Sequence, residues 1–183
     1  MTGARTWTTG DLMRVAELAG TMPERELRRR LKLSGNQLRY AIRRLRRMGV
    51  NATTRFYEPR LETCPECGCR RATIGKAGMC EPCRLRRQLA EIEWRTSDLM
   101  ARLTPEQRTV YERTEAERES RAEPMPKPRP TGGLDRYERA RAAEEYDEAM
   151  ERWLASYLRR RVKAAQKRKE RIQKKVNDNN EEQ

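Results

Sequence analysis

Between Trp7 and Val50 apolar residues recur every three or four positions in three short stretches, and the residues between them predict three helices. In the first stretch Leu12, Val15, Ala16 and Leu18 fall largely on one face, Thr8 or Thr9 is placed to cap the start, and Gly20 ends it. Pro23 opens a second helix with Leu27 and Leu31 inward. After the short turn Lys32-Leu33, Ser34 caps a third helix carrying Leu38, Ala41, Ile42 and Leu45, which Gly49 stops. Two short helices joined by a tight turn, the second crowded with polar side chains, form a helix-turn-helix. The outward face of the third would present Asn36, Gln37, Arg39, Tyr40, Arg43 and Arg44.

The pattern changes further along. Residues 84 to 94 predict a helix with Leu85, Leu89 and Ile92 spaced to pack on the cysteine-rich segment before it or on a partner. Thr104, Pro105 and Gln107 make a good start for another helix, with few apolar residues after it. Residues 123–133, with four prolines and two closing glycines, read as a semi-rigid linker. From 134 to 176 there is neither proline nor glycine, the profile of one long helix. Its residues Tyr146, Met150, Trp153 and Tyr157 step by four, three and four, with Leu134, Tyr137, Leu154 and Leu158 adding apolar surface. That stripe would seat a partner helix, allow self-association, or pack on the chain's own modules; its heptads are too few to establish a coiled coil. Residues 177–183 read as a disordered tail.

The expected architecture is therefore mainly α. A three-helix unit spans 1–58, a cysteine module with its following helix 59–96, and a charged helix 97–122, followed by the linker, the long helix and the tail. Composition agrees. Charged residues make up 38% of the 183 and aromatic residues 5%, which argues against one large core. The formal net charge of +14 draws the chain to polyanions. Through residue 60 there are fourteen basic side chains against five acidic ones, so the first unit holds most of the excess. A second basic run, 159 to 175, has ten Lys or Arg and one acid, Glu170; it reads either as a solvated tail or as a nucleic-acid contact without sequence discrimination. No apolar run is long enough to span a membrane and the first residues lack the apolar stretch of a secretory signal, so a cytoplasmic setting is expected, in the host cell if the chain is phage-encoded.

All five cysteines lie within residues 63–83, and the chain has no histidine. Cys64, Cys67, Cys80 and Cys83 follow the spacing C-x2-C-x12-C-x2-C, two thiolate knuckles able to close a tetrahedral site around Zn2+. Redox or disulfide roles, iron, or no metal are the alternatives, and Cys69 could compete as a ligand. Four thiolates leave no open coordination position, so such a zinc would be structural.

Residues 7 to 50, with the pattern "L...LKLS...L..AI..L" and Trp7 near the first helix, resemble the Myb-like and sigma-region-four-like helix-turn-helix variants of phage and prophage regulators. Arg28 and Lys32 stand where that family often has a small residue and a glycine. The four-cysteine module followed by "RLRRQLAEIEW" also looks like phage proteins that join a helix-turn-helix to a zinc ribbon. The resemblance implies duplex DNA binding in transcription regulation. Amide and guanidinium groups on the third helix would then meet base edges and phosphates. Catalysis is not expected, since the sequence offers no histidine base, phosphate loop or nucleophile turn. An adaptor using the long helix's aromatic stripe, and RNA binding, are the competing classes.

Overall fold

The structure is a computed structural model and describes residues 6–120 and 124–181. Among those residues the chain is mainly helical, with one two-stranded ribbon and a long C-terminal helix. It divides into two compact units, Met1–Arg60 with Pro128–Tyr146, and Leu61–Lys127 with Asp147–Gln183.

In the first unit, α1 (Thr9–Leu18), α2 (Glu24–Leu31) and α3 (Gly35–Arg47) form where the apolar spacing predicts them. Thr8 and Ser34 cap α1 and α3 through reciprocal capping boxes with Asp11 and Gln37. Pro23 sits at the cap of α2, one position before its first helical residue. Leu12, Val15, Leu27, Leu38, Ala41, Ile42 and Leu45 are buried in one core, with Ala16, Leu18, Leu31 and Trp7 packed at its edge. Each fully buried leucine contributes roughly 1.5–3 kcal/mol of transfer free energy, so this small core depends on every one of them.

The turn between α2 and α3 is made by a lysine. Lys32 adopts φ 51° and ψ 46°, the left-handed region. The amide of Leu33 donates to Arg28 O at 3.0 Å and that of Lys32 to Arg29 O at 3.3 Å, the paired bonds of a Schellman ending, with Leu33 delivered into the core. Arg28 does not block the helices from meeting, because its guanidinium lies over Gly35, where a Cβ would come within 3.5 Å of it.

The first unit does not end at residue 58. Asn51 Nδ2 donates to Gly133 O at 2.7 Å, and Arg136 Nη1 donates to the carbonyls of Glu17 and Ala19 at 2.9 and 2.8 Å. The segment expected to be a spacer thus closes, from Pro128 on, against the three helices. Asp135 and Glu138 form a third capping box that starts α6 (Arg136–Glu181), two residues later than the sequence pattern indicates. Glu144 is fully buried and its carboxylate accepts the Arg60 amide at 2.7 Å. Tyr57 and Tyr137 meet edge to face with centroids 5.5 Å apart, and Arg55 lies 3.9 Å over the Tyr137 ring.

In the second unit β1 (Glu62–Thr63) pairs antiparallel with β2 (Arg70–Arg71) around the first cysteine pair. The second pair opens α4, which runs Glu81–Ala101 rather than stopping near residue 94. The expected boundary at residues 96 and 97 therefore falls inside a helix. The extension follows from Thr96, Leu99 and Leu103, which continue the burial begun by Leu85, Leu89 and Ile92. Those six positions alternate steps of four and three, and on α6 Ala155, Leu158, Val162, Ala165, Ile172 and Val176 keep the matching rhythm. Glu81 meets Arg159, Glu93 meets Arg161 and Met100 meets Arg168, so the two helices run side by side in the same direction. The stripe of α6 buried against α4 is thus a different one from the aromatic stripe, and it is interrupted by Lys169. Tyr146, Met150, Trp153 and Tyr157 are only half-buried, and Trp153 and Tyr157 stack on each other at 5.4 Å.

After α4 the chain turns into α5 (Pro105–Ser120), whose Tyr111 packs against Leu99, Leu103, Ile172 and Val176. The expected disordered tail is helical as far as Glu181, and residues 182 and 183 lie outside the described residues. Val176 is buried there, and the Asn179 amide donates to Gln107 on α5 at 3.3 Å, which holds the end of α6 in place. Of the expected linker, residue 123 lies outside the described residues, and residues 124–131 form no regular structure.

Candidate metal centre and the outward face of α3

The two knuckles are built by local backbone bonds. The Gly68 amide donates to Cys64 O at 2.8 Å and the Cys64 amide to Cys69 O at 2.9 Å, closing a tight loop that Gly68 turns with φ 67°. The second loop is closed by Gly75 and Gly78, and Ile74 bridges Cys80 in antiparallel pairing. As a result Cys64, Cys67, Cys80 and Cys83 bring their sulfurs within 4.8 Å of one another, and this group can hold a metal ion. Cys64, Cys80 and Cys83 are buried and Cys67 is half-buried, so the cluster is closed on most sides. Cys69 is exposed, and its thiol turns to the Cys67 carbonyl at 3.6 Å. It stands apart from the four.

Burial pushes the Cys64 thiol up, but the backbone amides of Cys80, Cys67 and Glu66 outweigh it and bring the thiol down to about 6. The Cys80 amide donates to its sulfur at 3.3 Å. Cys67 is also lowered: burial opposes ionisation, and the Cys69 amide and Cys83 thiol more than offset it. Burial raises Cys80 and Cys83. Two of the four thiols are thus lowered and two raised, as happens when acidic groups are crowded and each one's ionisation opposes its neighbours'.

The surroundings favour negative charge at this point. Cys80 is the N-cap of α4, so the positive end of that helix faces the sulfurs. Arg71 is buried beside Cys80, whose thiol holds its guanidinium charged against the cost of burial. A second ring of contacts ties the module down. Arg87 pairs with Glu66 at 2.7 Å, Arg159 grips both oxygens of Glu81 at 2.9 and 2.6 Å, and Glu151 accepts the Ala72 amide at 2.8 Å. The Arg159 hydrogen bonds hold the Glu81 carboxyl below its usual range although burial opposes them. These pairs are largely exposed and screened by solvent, so they orient the loops more than they stabilise them. Beside the second loop lies a cleft of about 880 Å³ with Lys76, Arg84, Glu148 and Arg152 on its walls.

In the first unit, α3 turns Leu38, Ala41, Ile42 and Leu45 inward. At 100° per residue, Asn36, Tyr40 and Arg43 fall opposite that stripe, and Arg47 continues their line. All four are exposed. Arg39 and Arg44 are exposed on the flanks, and Arg39 Nη2 donates to Asn36 Oδ1 at 2.8 Å. Gln37 is differently placed. Its Oε1 accepts the Ser34 amide at 2.8 Å, which commits that oxygen to the cap and leaves the side chain half-buried. Tyr40 lies 6.0 Å from the Trp7 ring.

Three contributors went unread in the sequence. Arg47 was legible as the next member of the 36, 40, 43 progression. Arg71 had a weaker signal, as a strand residue close behind the first knuckle. Glu151 had none, because its backbone partner Ala72 lies 79 residues away. No membrane-spanning helix is found among the described residues. No protein-family model matches the chain, and no curated protein and no solved structure matches it, so the thiol cluster and the basic faces are what bear on function.

Proposed function

We propose that the protein is a zinc-containing, sequence-reading duplex DNA-binding protein, a transcription regulator of phage or mobile-element type, in which α3 meets the major groove. The observation that carries this is the line Asn36, Tyr40, Arg43 and Arg47, exposed along about 16 Å of a helix whose opposite face is anchored in a core. An amide and guanidinium groups on a rigid helix suit the donor and acceptor patterns of base edges. Arg39 and Arg44 flank them on phosphates, and Gln37, half-buried with its oxygen on the Ser34 amide, is a weaker reader than Asn36, which stays exposed although its own oxygen accepts from Arg39.

Zinc is the metal best suited to four thiolates. A tetrahedron with bonds of about 2.3 Å has edges of about 3.8 Å. The Cys67 and Cys80 sulfurs stand 3.9 Å apart, which fits. The ion's role is structural, holding β2 and the start of α4 together. An adaptor reading would need the aromatic stripe of α6 free for a partner, and the packing of Leu154 and Tyr157 against the cluster of Leu85, Leu89 and Ile92 favours internal use.

The test is selection of bound duplexes from a random library, with zinc-loaded protein at near-physiological salt. An enriched motif that is lost in Arg39→Ala with Arg43→Ala is the expected result. Binding without enrichment, unchanged by those substitutions, would sink the proposal.

A further inference from the structure

Eight of the ten cations in the basic run of α6 fall into two sets with different uses. Arg159, Arg161 and Arg168 turn toward α4, where they meet Glu81, Glu93 and Met100. Arg160, Lys163, Lys167, Arg171 and Lys174 step by three and four on the opposite side, and all five are exposed. With 1.5 Å of rise per residue they form a ridge about 21 Å long. Glu170, the single acid of the run, lies to one side, where the Gln166 amide donates to its carboxylate at 3.1 Å. Because Leu158, Val162, Ile172 and Val176 are buried, the helix beneath the ridge is braced and the cations stand at fixed spacing.

We infer that this ridge is a second nucleic-acid surface, one that binds the phosphodiester backbone of a duplex without reading bases. Along Lys163, Lys167, Arg171 and Lys174 neighbouring cations lie about 5 Å apart on the axis, within the ~8 Å Debye length of physiological salt, so their charges repel and a polyanion over them is favoured. A duplex supplies one negative charge per about 1.7 Å of its axis, dense enough to meet the whole ridge. A membrane surface fits less well, since a helix lying on lipid inserts its apolar face and this helix spends that face on α4. The inference shares its partner class with the reading of α3 but none of its residues.

The test uses the full zinc-loaded chain and a duplex of random sequence, with affinity followed by fluorescence anisotropy between 50 and 200 mM salt. At a slope of about 0.9 per phosphate contact, five contacts make the affinity fall about 500-fold over that range, beyond the fall due to any other contact. The variant Arg160→Gln, Lys163→Gln, Lys167→Gln, Arg171→Gln, Lys174→Gln should lose about 4.5 units of log–log slope, by the same relation. Lys163→Gln with Lys167→Gln should lose about 1.8, which serves if the fivefold variant melts early by circular dichroism. Base preference in the library selection should be unchanged in both. An unchanged slope in the folded variants overturns the inference, whatever α3 does. So does binding to phosphatidylserine vesicles that the variants abolish while duplex binding persists. Loss of motif enrichment in α3 variants with the salt slope intact would separate the two surfaces and support the ridge.

Discussion

Replacing Lys32 by glycine should stabilise the first unit. A side chain at φ 51° and ψ 46° brings its Cβ against the following carbonyl, a strain of about 1–2 kcal/mol that glycine removes. Glycine also adds freedom to the unfolded chain, worth about 0.5–1 kcal/mol in the other direction. Taken at mid-range, the two leave a net gain of roughly 0.5–1 kcal/mol. Lys32 is exposed, so no packing is lost. Lys32→Ala is the control, since it removes the same charge and methylenes but keeps the Cβ. Amide hydrogen exchange at Leu38, Ile42 and Leu45, in the core face of α3, reads opening of this unit separately from the other. Protection should rise about two- to fivefold in Lys32→Gly relative to Lys32→Ala, the range that 0.5–1 kcal/mol corresponds to. Equal or lower protection in the glycine variant would refute the reasoning and mean that the Schellman turn is not under strain.

On the zinc reading the chain should carry one ion, Cys83→Ser should lower that stoichiometry and cost the second unit much of its stability, and Cys69→Ser should leave the stoichiometry intact; elemental analysis of the chain and both variants checks this. Because four thiols release protons on binding, apparent metal affinity should fall as pH drops, measurable by competition with a chromophoric chelator. Ile172→Ala, at a fully buried seam position, should destabilise the second unit by about 2–4 kcal/mol in urea unfolding. Tyr57 should show a pH effect of defined sign. Its hydrogen bond to Glu144, with burial, raises the phenol above its ordinary 10.0, so its contribution is full below that value and is lost as pH rises through the folded-state pKa. Tyr57→Phe should flatten the loss of stability above pH 10 seen in alkaline unfolding.

The first unit's helices were legible because local signals and burial agree there. Thr8 and Ser34 cap where a hydroxyl precedes an apolar rhythm, and Leu38, Ala41, Ile42 and Leu45 are all inside. The four cysteines were legible for the same reason, since their spacing is short enough for backbone loops to bring them together unaided. The seam on α6 was not. Bulky Trp153 and Tyr157 draw the eye to one stripe, while the buried one uses Ala155, Val162 and Ala165 amid arginine and lysine. Small residues carry little signal in a charged helix, and only α4 alongside makes their face an interior. The return of residues 128–146 to the first unit was hidden too, because it rests on side chains bonding to backbone carbonyls of α1, which no periodicity reveals. Extension of α6 to Glu181 depends in the same way on Gln107, 72 positions distant.

The parallel pairing of α4 with α6 also sets an order of events in folding. Glu81 and Arg159 are separated by 78 positions, whereas the Cys64 and Cys80 knuckles are 16 apart. The entropy of closing the longer loop exceeds that of the shorter by about 1.4 kcal/mol, roughly a tenfold handicap. The cysteine loop is therefore expected to close first, and an ion captured at that stage would fix the first turn of α4 while the rest of the chain is still searching. A seam assembling on a helix whose start is so held would close from Leu85 toward Leu103. During synthesis the same logic applies in time. The knuckles leave the ribosome about seventy residues ahead of their helical partner, and until it arrives the apolar stripe of α4 stands bare.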